Sequence, residues 1–237
     1  MRNGLITFAI LAAAVIAGAA ADSAGLNTLT AAEKADGWRL LFDGQTTAGW
    51  RGYRKDTCPP GWKVVDGALT RVADAGDIIT VEKFQNFDLK FDWKISKNGN
   101  SGVFYHVAEG PDLDYVFRTG PEYQLLDNER HPDAKAGKNG NRTAGSDYDL
   151  YPPSVNVTKP AGEWNESRIV IKGSHVEHWM NGKKLLEYEL WTDAWKAQVA
   201  DSKFKAWPDY GLAKSGHIVL QEHEAEIAFR NIKIKVL

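Results

Sequence analysis

The sequence has little cysteine and no excess charge of either sign. Cys58 is its single cysteine, so an intramolecular disulfide is excluded, and because Pro59-Pro60 follows it we expect a structural role. The 29 Lys and Arg residues nearly balance the 31 Asp and Glu residues. There is therefore no basic surface field to hold a nucleic acid or an anionic membrane, and no nucleic-acid partner is expected.

Motifs of several enzyme classes are also missing. The sequence has no serine nucleophile elbow, no phosphate-binding glycine loop and no cysteine-based zinc site. His175 and His178 are three residues apart, which on a strand sends them to opposite faces, so they form a poor metal pair. Glu122, Asp127 and His223 could ligate a divalent metal, but no spacing rule supports such a site. We predict no cofactor. The sequence does not decide whether a divalent metal binds.

Long hydrophobic runs are confined to the N-terminus. Arg2 precedes an uncharged run over residues 5–17, which is short for a membrane span, and small residues follow at 17–21. This pattern predicts a signal peptide at residues 1–21 and a periplasmic or secreted protein. No cysteine follows the cleavage region to mark a lipid anchor, so no membrane anchor is expected. No repeat or linker divides residues 22–237, which we predict to form one domain.

The dominant hydrophobic period in the chain is two, which is typical of half-buried strands. It is clearest at residues 87–95, where apolar and charged residues alternate. Further strands are predicted at residues 62–71, 101–107, 121–127, 166–172, 175–180, 184–189, 217–223 and 226–236. Helix is limited to a turn capped by Thr30 and Glu33 and a short helix within residues 193–204. Many short strands and few helices predict an all-β sandwich or jelly roll with one or two short helices.

Three local features interrupt this pattern. Asn181-Gly182 predicts a type I′ hairpin turn, because both central residues of that turn need positive φ. The apolar phase slips in the last strand, which predicts a β-bulge around Arg230-Asn231. Residues 128–153 are polar, rich in Gly and Asn, and without a period. Loops of that length usually carry function or are disordered.

Two of the predicted strands place an amide and an ionisable group on the same non-core face. Alternation puts Glu122 and Gln124 on one face of residues 121–127, and Gln221 and His223 on one face of residues 217–223. Amides can hold sugar hydroxyls and ionisable groups can move protons. We therefore favour a sugar site over an ordinary solvated sheet face.

Other candidate groups are ambiguous. Tyr105 and His106 are expected on opposite faces of their strand, so one of them could reach the site, and His106 is as consistent with a core-edge residue as with a ligand-binding one. Glu222, Glu224 and Glu226 recur at every second residue, as in an acidic catalytic strand. Their order does not match that of retaining glucanases, so we interpret them as a charged turn.

Several motifs, in order, resemble the 3-keto-disaccharide hydrolase family over residues 37–237. They are GWRLLFDG at 37–44, NSGV at 100–103, EYQLLDN at 122–128, GEWN at 162–165, EHWMNG at 177–182 and FRNIKI at 229–234. The resemblance implies a concanavalin A-like jelly roll. It also implies a substrate class, glycosides already oxidised to a ketone at sugar C3 by a partner glycoside 3-dehydrogenase.

The resemblance also implies a role for each candidate residue. Glu122 and His223 become the catalytic acid–base pair, because a C3 ketone acidifies the C2 hydrogen and permits elimination of the C1 aglycone. The sugar-binding or oxyanion-binding residues are then expected to be Asn100, His106, Gln124, Asp127, Arg142, Tyr148 and Gln221. Two segments depart from the family pattern: Glu222 and Glu224 flank His223, and Asp147 precedes Tyr148.

The alternative function is a lectin-like binding module without catalysis, since the fold alone does not distinguish binding from turnover. Trp50, Trp62 and Trp207 could provide stacking platforms in either case. A His and a Glu converging on one sugar ring would favour the enzyme. A third possibility, an endo-glucanase using Glu222 and Glu226, would need those side chains inside a cleft.

Overall fold

Two antiparallel β-sheets form the framework of residues 25–237, the part of the chain that the computed structural model describes. The signal peptide predicted at residues 1–21 lies outside the described residues. The strands are β1 (Arg39–Leu40), β2 (Trp50–Gly52), β3 (Trp62–Val65), β4 (Ala68–Arg71), β5 (Ile78–Thr80), β6 (Phe87–Ile95), β7 (Asn100–Val107), β8 (Glu122–Leu126), β9 (Asn165–Lys172), β10 (His175–Met180), β11 (Lys183–Glu189), β12 (His217–Leu220) and β13 (Ile227–Val236).

Helices are short, as expected. The α-helices of the described residues are α1 (Ala31–Ala35) and α2 (Asp193–Ala200), and 3₁₀ turns lie at Val116–Arg118, Pro132–Lys135 and Lys203–Ala206. No helix in the described part of the chain has the length and apolar character needed to cross a membrane. The prediction of an all-β sandwich with one or two short helices is confirmed.

The two sheets differ in size and order. The larger sheet has eight strands in the order β11-β10-β9-β6-β13-β4-β3, with β1 paired to β13, and the smaller sheet has the order β2-β5-β12-β7-β8. The central pairs of the larger sheet are long, with β6 aligned to both β9 and β13. Strands distant in sequence are therefore neighbours, which is what brings separate motifs onto one face.

The main core lies between the sheets and follows from the alternation in β6. Phe87, Leu89, Phe91, Trp93 and Ile95 are all buried there. Of the charged residues between them, three are half-buried, and Asp88 is buried in an ion pair with Arg168. Burying side chains of this size stabilises a fold by about 1.5–3 kcal/mol each.

The core also takes in two of the aromatic residues proposed as sugar platforms. Trp50 is 4% exposed and Trp62 is 2% exposed, and both pack with the main core cluster. This corrects the expectation that they stack on sugar. Trp207 remains half-buried, with the Arg118 guanidinium carbon 4.5 Å from its ring centroid.

The structure contains three local features that the sequence predicts. Asn181 and Gly182 both have positive φ in the two-residue turn between β10 and β11. Asn231 has φ 52° and lies within the register shift between Arg230 and Lys233, which confirms the predicted bulge. Thr30 and Glu33 form the predicted capping box of α1.

Other boundaries differ from the sequence-based ones. The predicted strand 62–71 is two strands, because Asp66 and Gly67 both take positive φ and turn the chain. The strand predicted at 217–223 ends at Leu220. The short strands β1, β2 and β5 were not anticipated, since two or three residues show no period.

Candidate functional site

The outer face of the five-stranded sheet carries a polar cluster, here called the cleft, formed by Asn100, Glu122, Gln124 and Gln221 with residues 145–148 beside it. In β8, Tyr123 and Leu125 enter the core between the sheets, so Glu122 and Gln124 point outward as alternation predicts. Gln124 lies opposite Gly102 in β7, and the Glu122 side chain lies over Gly102, where a Cβ would collide with Glu122 Oε1. A glycine here therefore leaves room for the Glu122 carboxyl.

Glu122 is an acid of this cleft whose pKa is strongly shifted. Its side chain is 5% exposed, and burial raises its pKa to about 8. The Lys203 ammonium opposes that rise, whereas the Asp77 and Asp133 carboxylates add to it. A carboxyl group with such a pKa exists in both protonation states near neutral pH, as proton transfer requires.

Lys203 provides the positive charge that acts on the Glu122 carboxyl. It begins the 3₁₀ turn after α2, and its Nζ lies 4.1 Å from the ring centroid of Tyr148. Although much of the residue is exposed, desolvation of the ammonium lowers its pKa, and the Glu122 carboxylate raises it. Glu122 and Lys203 therefore influence each other's proton affinity.

The long polar loop at residues 128–153 is ordered against β8. The Tyr148 N–H donates to Glu122 O at 3.0 Å, the Gln124 N–H donates to Ser146 O at 3.1 Å, and the Gly145 N–H donates to Gln124 O at 2.8 Å. Residues 145–148 thus run beside β8 like an extra edge strand. This places the loop's side chains at the cleft.

A hydrogen-bonded network in this loop fixes Arg142 and Tyr148. The Tyr148 hydroxyl donates to Asp133 Oδ2 at 2.7 Å, and Arg142 Nε donates to Asp149 Oδ1 at 2.7 Å. Arg142 Nη1 also donates to Asp133 Oδ1 at 3.2 Å, and its guanidinium carbon lies 5.5 Å from the Tyr148 ring centroid. The loop therefore presents a rigid phenol and a rigid guanidinium beside Glu122.

Three amide side chains on the same sheet face have unused hydrogen-bonding capacity. Among the described residues, Asn100 Oδ1, Gln124 Nε2 and Gln221 Oε1 are buried and have no protein hydrogen-bond partner. Gln221 is held beside Gly102 by its backbone N–H, which donates to Gly102 O at 2.9 Å. Buried polar atoms without protein partners are rare, and here they converge where a polar ligand could pair with them.

Asp77 is a site residue that the sequence reasoning missed. It precedes β5, and its Oδ1 accepts a hydrogen bond from the Glu222 N–H at 2.9 Å. Burial, together with the charge of Glu222, raises the pKa of Asp77 to about 6. Asp77 and Lys203 carry no local signal, since each reaches the cleft only through long-range pairing.

Two predicted positions lie outside this cleft. A bulge gives His106 a φ of 55° and turns both Tyr105 and His106 toward the core side, which corrects the expectation that they face opposite ways. The His106 Nε2–H donates to Gln85 O at 2.8 Å, and burial lowers the pKa of its imidazole. The structure therefore places His106 at the core edge, away from the amide cluster.

The Asp127 carboxylate accepts hydrogen bonds within the turn after β8. Its Oδ2 accepts from the Asn98 N–H at 2.8 Å, and its Oδ1 accepts from the Glu129 N–H at 3.2 Å. Burial opposes ionisation of Asp127, but the Asn98 N–H and the Arg130 guanidinium outweigh it and lower its pKa. The structure gives this carboxylate a turn-stabilising position.

His223 is exposed in the turn that follows β12, because the strand ends earlier than predicted. In the same turn Glu222 pairs with Arg71 at 2.5 Å, while Glu224 and Glu226 are exposed. This arrangement agrees with a charged turn rather than a row of catalytic carboxylates. Gln221 reaches the cleft face from the last position before that turn.

A group of side chains that could ligate a metal lies away from the cleft. Of the described residues, His175, Glu177 and Glu187 form the group whose ligand atoms lie within 4.8 Å of one another, on the edge of the larger sheet. His175 is partly exposed and His178 is buried, which confirms that they face opposite ways. Lys184 pairs with Glu187 at 2.6 Å within the same cluster.

Comparison with known proteins assigns the family. Residues 37–235 match the model of the 3-keto-alpha-glucoside-1,2-lyase-like domain. The chain belongs to this family. It is 40% identical to a 3-keto-disaccharide hydrolase of Bacteroides thetaiotaomicron over 91% of this chain and 83% of that protein.

Solved structures agree with this 3-keto-alpha-glucoside-1,2-lyase-like assignment. A glycosyl-hydrolase candidate from Parabacteroides distasonis is 40% identical, with a TM-score of 0.82 over 90% of this chain and 99% of that one. A galectin-like protein from Bacillus subtilis is 14% identical, with a TM-score of 0.52 over 84% of this chain and 94% of that one. The second likeness concerns the fold alone, and it agrees with the predicted jelly-roll sandwich.

Proposed function

We propose that the protein cleaves 3-keto-glycosides, 3-keto-disaccharides among them, in the cleft on the five-stranded sheet. The family and the name of the Bacteroides relative support this substrate class. The observation that carries the proposal is Glu122, a buried carboxyl with a pKa of about 8 beside the Lys203 ammonium. Unpaired amides on the same face would hold the sugar.

The proposed reaction begins with the acidity that a C3 ketone confers on C2. A base removes the C2 hydrogen, and the electron pair enters an enolate. The enolate then re-forms the ketone, a double bond forms between C1 and C2, and the C1–O bond to the aglycone breaks. The aglycone takes a proton. Addition of water across the double bond puts hydroxide on C1 and a proton on C2, which gives net hydrolysis.

Glu122 is the proposed base at C2. Because burial raises its pKa to about 8, Glu122 loses its proton close to neutral pH, and the ionised form accepts the C2 proton. The proton is then available for return to C2 when water adds. The Lys203 ammonium would stabilise the enolate oxygen, as cations do for developing negative charge.

The second proton-transfer group donates to the aglycone oxygen. His223 holds this role in our proposal, in keeping with the sequence motif, and it is exposed at the turn after Gln221. Asp77 is the alternative, since its pKa of about 6 permits both protonation states near neutral pH. Arg142 and Tyr148 from the loop, and Asn100, Gln124 and Gln221 from the sheet, would bind the sugar.

The cellular setting follows from the same proposal. A 3-keto-glycoside must be made by oxidation of a sugar hydroxyl, so a glycoside 3-dehydrogenase is the expected functional partner. The charge and hydrophobic pattern of residues 1–21 supports action in the periplasm or outside the cell.

The deciding experiment compares an aryl glucoside with its 3-keto derivative. Wild-type protein should release the aglycone from the keto compound alone, with transient ultraviolet absorbance from the conjugated enone. Glu122→Gln should lower kcat/KM by about 10²–10⁴, because the C2 base is lost. Glu163→Gln, a substitution at an exposed loop carboxylate, is the matched control and should leave the rate unchanged.

The remaining variants separate the alternatives. Loss of rate in His223→Ala but not in Asp77→Asn would support His223 as the acid, and the reverse would transfer the role to Asp77. Unchanged turnover in Glu122→Gln would refute the proposed base. Retained sugar binding without release from either compound would make the protein a lectin-like module.

A further inference from the structure

A second groove lies on the outer face of the larger sheet. It has a volume of about 470 Å³ and is lined by side chains from β6, β9, β10 and β13, with Glu33 from α1 at one side. None of its lining residues belongs to the cleft on the five-stranded sheet. The groove is thus a separate feature of the molecule.

One row of residues crosses the floor of this groove. Trp179 in β10 lies opposite Arg168 in β9, Arg168 lies opposite Lys90 in β6, and Lys90 lies opposite Lys233 in β13. Residues directly opposite on one sheet face have neighbouring side chains. The row therefore presents an indole followed by three cationic groups.

A second row supplies acceptors beside the first. Glu166 in β9 lies opposite Asp92 in β6. Asp92 Oδ2 accepts from Asn231 Nδ2 at 2.8 Å, and Lys233 Nζ donates to Glu33 at 3.1 Å. Three acidic and three basic side chains thus line the groove, which leaves no net charge to select an anionic or a cationic ligand.

Trp179 is held in a fixed orientation at the end of the groove. It is half-buried, and its Nε1–H donates to Glu177 Oε2 at 2.8 Å. The Arg168 guanidinium carbon lies 5.7 Å from its ring centroid, and Arg168 is held by a two-bond ion pair with Asp88 at 2.6 and 2.7 Å. A pre-oriented ring costs little entropy when a ligand stacks on it.

We propose that this groove is a second, non-catalytic binding site for a neutral oligosaccharide. A sugar offers a flat C–H face for the indole and many hydroxyls, which are both donors and acceptors. The alternating carboxylate, amide and cationic groups match that pattern, whereas the balanced charge does not favour a phosphate or a polycation. Because the groove and the cleft lie on different sheets, both could be occupied together.

The test is calorimetric titration of the full chain with neutral gluco-oligosaccharides of two to four units. Trp179→Ala should weaken groove binding at least tenfold. Glu166→Ala, which removes an exposed acceptor from β9, should weaken it as well without touching the core. Tyr115→Ala, at an exposed aromatic residue remote from the groove, is the control and should bind as wild type does.

Two further measurements distinguish binding in the groove from binding in the cleft: a variant of the cleft and the rate of turnover. Gln221→Ala should leave groove binding unchanged, and Trp179→Ala should leave kcat/KM for a small aryl 3-keto-glycoside unchanged. Equal oligosaccharide affinity in wild type, Trp179→Ala and Glu166→Ala would overturn the proposal. So would a monomer–dimer equilibrium in sedimentation that only these two variants weaken, since the groove would then be a contact between copies.

Discussion

Glu122 illustrates how a single residue acquires a chemical property from its surroundings. In water a glutamate is ionised at neutral pH, but burial in the cleft raises the pKa of Glu122 to about 8. The Lys203 ammonium limits this rise by favouring the carboxylate. Burial and the Lys203 charge together therefore set the fraction of Glu122 that is ionised at a given pH.

Removal of the Lys203 charge should alter the pH dependence of the reaction. We expect Lys203→Met to raise the pKa of Glu122 further, so the rising limb of kcat/KM should move toward higher pH by about one unit. Lys203→Arg should keep the wild-type profile, and Lys205→Met, in the same 3₁₀ turn, is the matched control. A profile for Lys203→Met that overlays wild type would contradict the coupling.

At the scale of elements, the pair β7–β8 creates the cleft. Gly102 in β7 leaves an open position over which the Glu122 side chain from β8 lies. The loop at residues 145–148 then extends the sheet beyond β8 and brings Tyr148 beside Glu122. The site depends on a missing side chain in one strand as much as on the side chains present in the next.

A methyl group at Gly102 should displace the Glu122 carboxyl. We expect Gly102→Ala to lower kcat/KM at least about tenfold, equivalent to ~1.4 kcal/mol of activation free energy, while circular dichroism shows an intact fold. Gly110→Ala, where a Cβ would lie 3.3 Å from Leu113 Cδ1, is the control and should retain activity. Full activity in Gly102→Ala would show that the carboxyl position is not critical.

Across the whole molecule, ionisation of the cleft is linked to folding stability. The folded chain holds a proton on Glu122 up to about pH 8, whereas the unfolded chain loses it near pH 4.5. Between these values the folded state binds more protons, so the contribution of Glu122 to stability falls as pH rises. Buried histidines such as His178, whose pKa burial lowers to about 3, oppose this trend only at lower pH.

Denaturation measured from pH 6.5 to 8.5 should reveal this linkage. We expect the free energy of unfolding of wild-type protein to fall by about 1–2 kcal/mol over that range through Glu122. In Glu122→Gln this component is absent, so the decline should be smaller. Parallel curves for the two proteins would mean that Glu122 titrates at the same pH in the folded and unfolded chains.

The sequence by itself determined the features that depend on neighbours along the chain. Alternation in β6 identified a strand with a buried face, Asn181-Gly182 specified a hairpin, and the phase slip at Asn231 located a bulge. It also placed Glu122 and Gln124 on one face of β8. Each of these follows from local backbone preference or from the two-residue period of a strand.

Tertiary structure alone decided which groups share the cleft. Lys203 and Asp77 influence Glu122 only because the fold brings distant segments to the same face of the sheet, and the bulge at His106 turned that side chain toward the core. The early end of β12 likewise left His223 on a turn. Strand order and loop packing set these distances, and both arise from burial and pairing over the whole chain, which no short window of sequence contains.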